Sequence, residues 1–423
     1  MIPRNAGEGP AGRGQTVRTV GWLASSSLLG TVLGIAGSLV QAHFITPLDL
    51  GFVRKYSVVA GYAGFLSLGL FIILQREYPV LMGKGEPERA RRTAAVVRAW
   101  SLLASWVVCG GLLVVMLVDL VRGRWREAAA WLVQIAAVWS ALYAGYLTCL
   151  FRSSHAFKPL AKGQILSAVS GIAVLPGFLF WPFPTLIARS VAGSIVSSAY
   201  LHGARPVRVG WLLPGRELLS LVRRGLRLFA GDYTRYIFWL TVEIWLMLWA
   251  AGEAGVGLLV FGKLIADAAS QFSVAINQVF IPRLAERYGQ AESLRSCLRL
   301  SLKPTLLNLG AALPVMAAVW IVVPPVVRAA FPKYAAGIPL MRVLLFQAPI
   351  VGLSLPVYMV TVLEGYRLQI VAAAVGLGVF VGTTLVLHGR GLGAVSVAWG
   401  TLAGQSVFLA ISLTWLWIRA KSE

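Results

Sequence analysis

A chain of 423 residues that is 58% hydrophobic and only 13% charged is not a water-soluble globular protein, since such proteins carry about a quarter charged residues. Its formal net charge of +22 would point to nucleic acid if the chain were soluble, but the positions of the charges exclude that partner, as the loops show. Cys109, Cys149 and Cys297 lie in or beside apolar runs without paired spacing, and His43, His155, His202 and His388 are far apart. No disulfide framework and no metal site is readable from either set.

The first residues, 1–20, are basic and contain Gly and Pro, and the apolar run that follows is too long for a cleaved signal sequence. They read as a cytoplasmic leader. Apolar runs then fall at 21–44, 51–74, 94–121, 128–150, 163–180, 184–203, 228–249, 255–280, 304–327, 338–363, 370–387 and 394–418. A spanning helix needs about 20 apolar residues, and helices satisfy their own backbone in hydrocarbon, so the expectation is about twelve transmembrane helices. Loop charges give the orientation. With the N-terminus inside, most Lys and Arg fall in internal segments, while external ones hold Arg122, Arg124, Arg126, Arg328, Lys333, Arg342 and Arg390. The turn Arg122–Arg126 is the exception to the bias.

The expected organisation is a bundle of six helices over 21–203, a basic cytoplasmic linker over 204–227, a second bundle over 228–418 and a cytoplasmic tail, 419–423. Both halves open alike: Gly51 leads to Gln75-Arg76-Glu77-Tyr78-Pro79, and Gly257 leads to Ile281-Pro282-Arg283. The fold class is therefore all-α, a polytopic integral membrane protein of two pseudo-repeated six-helix bundles around a central cavity, the layout of a transporter. Gly30 with Gly34, Gly378 with Gly382 and Gly400 with Gly404 read as close helix contacts. Pro176, Pro314, Pro349 and Pro356 read as kinks.

Ionisable groups inside spans cost about 2.5–3.5 kcal/mol each and normally face a cavity or one another. In the seventh run Asp232, Arg235 and Glu243 share a face with Trp239. In the eighth, Lys263, Asp267 and Gln271 share another, with Lys263 and Asp267 spaced to pair within the helix. The second run begins with Arg54 and Lys55, and Tyr62 lies near Lys55 on the helical wheel. Arg54, Lys55, Tyr62, Arg235, Trp239, Lys263 and Gln271 are the candidate substrate-binding residues, and Asp232, Glu243 and Asp267 the candidate ion-coupling residues. Snorkelling to a membrane surface is the bland alternative for Arg54, Lys55 and Asp232, an ion pair for Lys263 with Asp267, and anchoring or packing for Tyr62 and Trp239. Arg189, alone in the sixth run, reads as a packing or snorkelling residue. There is no Walker loop, H-E-x-x-H, G-x-S-x-G or metal-holding acidic cluster, so neither catalytic residues nor cofactors are expected and the chain does not read as an enzyme.

The segments Ile45-Thr46-Pro47-Leu48-Asp49-Leu50-Gly51-Phe52, Gly69-Leu70 with Gln75-Arg76-Glu77-Tyr78-Pro79, and Gly255-Val256-Gly257 running to Pro282-Arg283-Leu284-Ala285-Glu286 resemble the polysaccharide (O-antigen-type, Wzx-like) flippases of the multidrug/oligosaccharidyl-lipid/polysaccharide exporter superfamily. The resemblance implies movement of an undecaprenyl-diphosphate-linked oligosaccharide across the bacterial cytoplasmic membrane by alternating access, with both termini cytoplasmic. It implies as partners the lipid-linked glycan and membrane lipids, a proton or sodium ion as coupling species, and a polysaccharide polymerase and glycosyltransferases as neighbours in assembly. The alternatives are a cation-coupled exporter of small amphiphiles, and a non-transporting membrane component of a glycan-assembly complex. The first span holds no acid, where drug-exporting relatives often place one.

Overall fold

The computed structural model describes residues 30, 32–154, 156–210, 215–233, 239–291, 293–363 and 365–422, all helix, turn or loop. The chain forms two compact units: residues 1–37 with 66–223, and residues 38–65 with 224–423. The second unit thus takes in an early segment, 38–65, that sequence order alone places with the first bundle.

In the first unit the principal helices are α4 (Leu70–Gly83), α5 (Pro87–Val121), α6 (Trp125–Trp139), α7 (Gly145–Ser153), α8 (Phe157–Ala173) and α9 (Pro182–Gly203). Pro87 and Pro182 open α5 and α9, where a missing N–H costs nothing. A single π-turn, Ser140–Ala144, joins α6 to α7 and buries Tyr143, whose hydroxyl meets His202 Nδ1 at 2.6 Å. Trp106, Val107 and Val114 stand exposed along α5, as expected of a face that meets acyl chains rather than water. The basic turn after α5 is partly neutralised within itself. Asp119 accepts from Arg124 and from Trp131 Nε1 (2.9 Å), and the Arg126 guanidinium lies 4.6 Å from the Phe183 ring centre. One of the three charges that breaks the loop bias is therefore compensated.

The second unit begins in α1 (Val32–Phe44), which contributes to both units, and continues in α2 (Pro47–Lys55) and α3 (Ser57–Ala63). The Thr46-Pro47-x-Asp49 string is a helix start: the Thr46 hydroxyl accepts from Asp49 N–H (3.1 Å), and Pro47 fills the first turn. Asp49 sits at the positive end of the helix dipole and Arg54 and Lys55 at the negative end. The unit is completed by α10 (Arg216–Tyr233, shared with the first unit), α11 (Trp239–Ala291), α12 (Leu294–Ala330), α13 (Ile338–Leu344), α14 (Gln347–Leu353), α15 (Tyr358–Val362), α16 (Tyr366–Gly389) and α17 (Ala394–Ser422). Gly252 breaks α11 with φ 65° and ψ −165°, a conformation open to glycine and costly for other residues. Pro356 falls between α14 and α15, dividing the tenth apolar run, while Pro314 is carried inside α12 and Pro176 lies in the 3₁₀ turn Leu175–Leu179.

Eight described helices are long and apolar enough to cross a bilayer, nine when the pair Pro47–Ser67 and Leu70–Gly83, bent by 41°, counts as one. The described parts of the other expected runs are helical too. The first enters the described residues only as the short Val32–Phe44. The sixth is α9, which carries Arg189 and several serines, while the described end of the seventh and the whole of the eighth lie on either side of the Gly252 break in α11, which counts as the one span Trp239–Val274.

Glycines divide into two kinds. A Cβ on Gly51 would come within 1.7 Å of the Glu253 carbonyl oxygen, and one on Gly257 within 1.8 Å of that of Pro47. The backbones of α2 and α11 therefore touch through the two glycines whose positions match between the halves. Gly400 and Gly404 likewise face Thr384 and Gly376 across the α16–α17 contact, at 2.1 and 2.6 Å for an added Cβ. At Gly30, Gly34, Gly378 and Gly382 an added Cβ would meet nothing within 4 Å, which corrects the expectation that these pairs are helix contacts.

Candidate functional site

Two ion pairs lie in the second unit, one between α2 and α11 and one across the Gly252 break of α11. Lys55 Nζ at the end of α2 donates to Glu253 Oε1 at 2.6 Å and lies over the rings of Phe52 (4.4 Å) and Tyr56 (5.1 Å). The cation is thus held by a carboxylate and two aromatic faces. Lys263 of α11 donates to Glu243 Oε2, and Thr401 of α17 donates to Glu243 Oε1 at 3.1 Å. Only 4% of the Glu243 side chain is exposed, against 25% of Lys263. Both Glu243 oxygens are therefore engaged in a site closed on the acid side and open on the lysine side. The ion pair of Lys263 is with Glu243 and not with Asp267, because the carboxylate from the earlier turn of the bent element reaches across to it.

Asp267, one turn beyond Lys263, is exposed, and Gln271, a further turn on, donates to the Asp267 carbonyl at 3.2 Å. Lys263, Asp267 and Gln271 recur every fourth residue and so line one face of α11. Asn277, further along α11, turns inward instead. It donates to Val351 O (3.3 Å) and accepts from Asn308 Nδ2 (2.9 Å), with Asn308 fully buried in α12. That amide pair ties α11, α12 and α14 together, a packing role that sequence spacing alone does not reveal.

The other expected residues are placed differently. Trp239 is wedged among Gly376, Gly404 and Phe380, its ring atoms 2.8 and 3.0 Å from where Cβ atoms on the glycines would be. The glycines make room for the indole. Tyr62 is 45% exposed and stacks on Phe65 with ring centres 6.4 Å apart. Arg54 is exposed on α2. Asp232 lies near the end of α10 while Glu243 lies on α11, so they do not share one continuous described helix. The Asp232 side chain and all of Arg235 fall outside the described residues.

Glu253, the counter-ion of Lys55, and Thr401, the second donor to Glu243, are the residues that sequence reasoning missed. Each sits on a helix whose facing was not predictable from its own periodicity. Among the described residues no cluster of His, Cys, Asp or Glu could hold a metal ion.

In the first unit, a hollow of about 560 Å³ opens between α1, α8 and α9, and Arg189 lines it. Its guanidinium lies along α1, with Nη2 3.4 Å from Gly34 O, and a Cβ at Gly37 would come within 2.9 Å of the same nitrogen.

Comparison with known proteins agrees with this architecture. Residues 128–334 match a family described as polysaccharide biosynthesis protein. No curated protein matches the chain at a significant level. Among solved structures, the chain is similar to a multidrug resistance MATE family transporter of the MOP superfamily in an outward-facing conformation, with TM-score 0.65 and 17% identity over 96% of each chain. It is similar to a MATE protein in complex with MaL6, at TM-score 0.65 and 16% identity over 96% of each chain. A MOP superfamily transporter from Pyrococcus furiosus, described as having a binding pocket of reverse polarity, gives TM-score 0.65 and 16% identity over 96% of each chain. These structural likenesses establish the fold.

Proposed function

We propose that the chain is a flippase of the multidrug/oligosaccharidyl-lipid/polysaccharide exporter superfamily that moves an undecaprenyl-diphosphate-linked oligosaccharide, a reading supported by the match of residues 128–334 to a polysaccharide biosynthesis family and by the fold shared with MATE transporters. The movement runs from the cytoplasmic to the outer leaflet of a bacterial cytoplasmic membrane by alternating access. Both termini are cytoplasmic, and the product feeds surface or exopolysaccharide assembly.

The observation that carries the reading is the stripe Lys263, Asp267 and Gln271 on the open side of α11. An exposed carboxylate on an apolar spanning helix is too costly against lipid, so that face borders water or a polar passenger. A glycan head needs such a passage because its hydroxyls and phosphates do not enter hydrocarbon. Asp267 is the coupling carboxylate in this scheme, for a proton or sodium ion, since both Glu243 oxygens already hold Lys263 and Thr401.

The test is translocation of a fluorescent lipid-linked oligosaccharide in proteoliposomes. The wild type should move it, and Asp267→Asn and Gln271→Leu, both outside the ion pairs, should slow it about tenfold, or 1.4 kcal/mol of barrier. Folded protein that moves no such lipid would overturn the proposal. The fold shared with multidrug transporters supports a second reading, cation-coupled export of small amphiphiles. Drug resistance conferred without any change in surface glycan would favour it.

A further inference from the structure

We propose that α10 lies along the membrane surface as a docking face for anionic phospholipids, with Arg216 and Arg223 on the headgroup phosphates and Leu219 and Leu226 in the acyl boundary. Residues 204–227 hold six arginines, Arg205, Arg208, Arg216, Arg223, Arg224 and Arg227, against one acid, Glu217. That acid is already taken, because Arg92 of α5 pairs with it at 2.7 Å. Arg92 stands just before the apolar run 94–121, and at a rise of about 1.5 Å per residue the pair sits within one turn of hydrocarbon. The start of α10 is therefore held at the level of the headgroups.

Helical spacing sorts the outward side chains. Positions seven apart lie about 20° from each other, so Arg216 with Arg223 and Leu219 with Leu226 form two stripes about 60° apart. All four residues are exposed, Leu219 to 72% and Leu226 to 44%, while Leu221, Gly225 and Phe229 turn the other way and are buried. The roll is set at both ends, by the pair of Arg92 with Glu217 and by the Phe229 ring, which meets Phe65 edge-on with centres 6.0 Å apart. A helix that only links two bundles through water gains nothing from an outward leucine stripe. Beside arginines, leucines enter the acyl boundary while the guanidinium stems reach back to phosphate level. The planar guanidinium fork matches phosphate oxygens, and charge selects among the lipids. A zwitterionic headgroup brings its own cation, whereas an anionic one offsets the excess of arginine. In the orientation given by the loop charges this is the cytoplasmic leaflet. Because no cargo is involved, the docking face stands apart from the flippase reading.

The experiment uses the full chain in nanodiscs of phosphatidylcholine with rising amounts of phosphatidylglycerol. In a background of Cys109→Ala, Cys149→Ala and Cys297→Ala, an environment-sensitive fluorophore is attached at Leu219→Cys. As phosphatidylglycerol rises, its emission should move to the blue and become quenchable by a spin label near the top of the acyl chain. The same probe at Ser220→Cys, about 100° round the helix, should stay in water. Arg216→Gln with Arg223→Gln should lower the docking constant about twenty-fivefold, about fivefold for each charge lost, and Arg216→Lys with Arg223→Lys should keep most of it. Melting curves identify the variants that remain folded. A second readout needs no substitution: in the wild type, amide hydrogen exchange over 216–226 should slow when phosphatidylglycerol replaces part of the phosphatidylcholine. Water-like emission from position 219 at every lipid composition removes the docking face, and so does blue emission that the lipid spin label never quenches, the mark of a protein cover. Fluorescence and exchange that both ignore phosphatidylglycerol remove it as well. Translocation plays no part in either readout, so failure here leaves the flippase reading standing.

Discussion

Glu243 is buried with both carboxylate oxygens occupied, one by Lys263 and one by Thr401. Removing one member of a buried ion pair strands the other charge, so Glu243→Gln should lower stability by about 3 kcal/mol and depress the melting temperature in detergent. The double variant Glu243→Gln with Lys263→Met should recover much of the loss, and a double variant no better than the single one would show that the pair is not coupled. The charged residues themselves were legible in the sequence: Glu243 and Lys263 stand out in apolar runs. Their pairing was not, because it links positions on either side of the Gly252 break, and a helical wheel assumes an unbroken helix. Arg189 is equally visible and reads as a packing or snorkelling residue, since nothing in the sequence of α9 tells what α8 and α1 place beside it.

The helices follow from local signals. Thr46, Pro47 and Asp49 begin α2, Pro87 begins α5 and Ser293 caps α12, each at a place the residue types dictate. The apolar runs fall on helices, but the helices extend well past some of them, as Leu294–Ala330 does past the run 304–327. What sequence could not rank was which small residues lie in contacts. Gly378 and Gly404 look alike on paper, yet an added Cβ meets empty space at Gly378 and a backbone oxygen at 2.6 Å at Gly404. Gly404→Ala should therefore push α16 from α17 and destabilise the protein, whereas Gly378→Ala should be neutral or stabilising by up to about 1 kcal/mol through helix propensity. Thermal unfolding of the two variants side by side checks the contrast; equal losses would contradict it.

At the level of the whole chain, composition and hydropathy were enough for an all-helical, multi-pass membrane protein, and the fold shared with known transporters agrees. The passage of residues 38–65 into the second unit was not readable, because it depends on long-range packing of α2 against α11. Orientation is open to direct measurement. A single cysteine replacing Arg122 should react with a membrane-impermeant maleimide in intact cells, and one replacing Arg216 only after permeabilisation. The reverse pattern would invert the proposed topology.

The mutual approach of Gly51 and Gly257 carries a consequence for how substitutions combine. Each residue makes room for the other's helix, so an alanine at either position forces the same separation of α2 from α11. Once one methyl has opened that gap, a second finds the space already made. The paired variant should then lose far less stability than the sum of its two singles, a non-additivity expected of sites that share one displacement, and evolution would encounter the two positions as a single constraint.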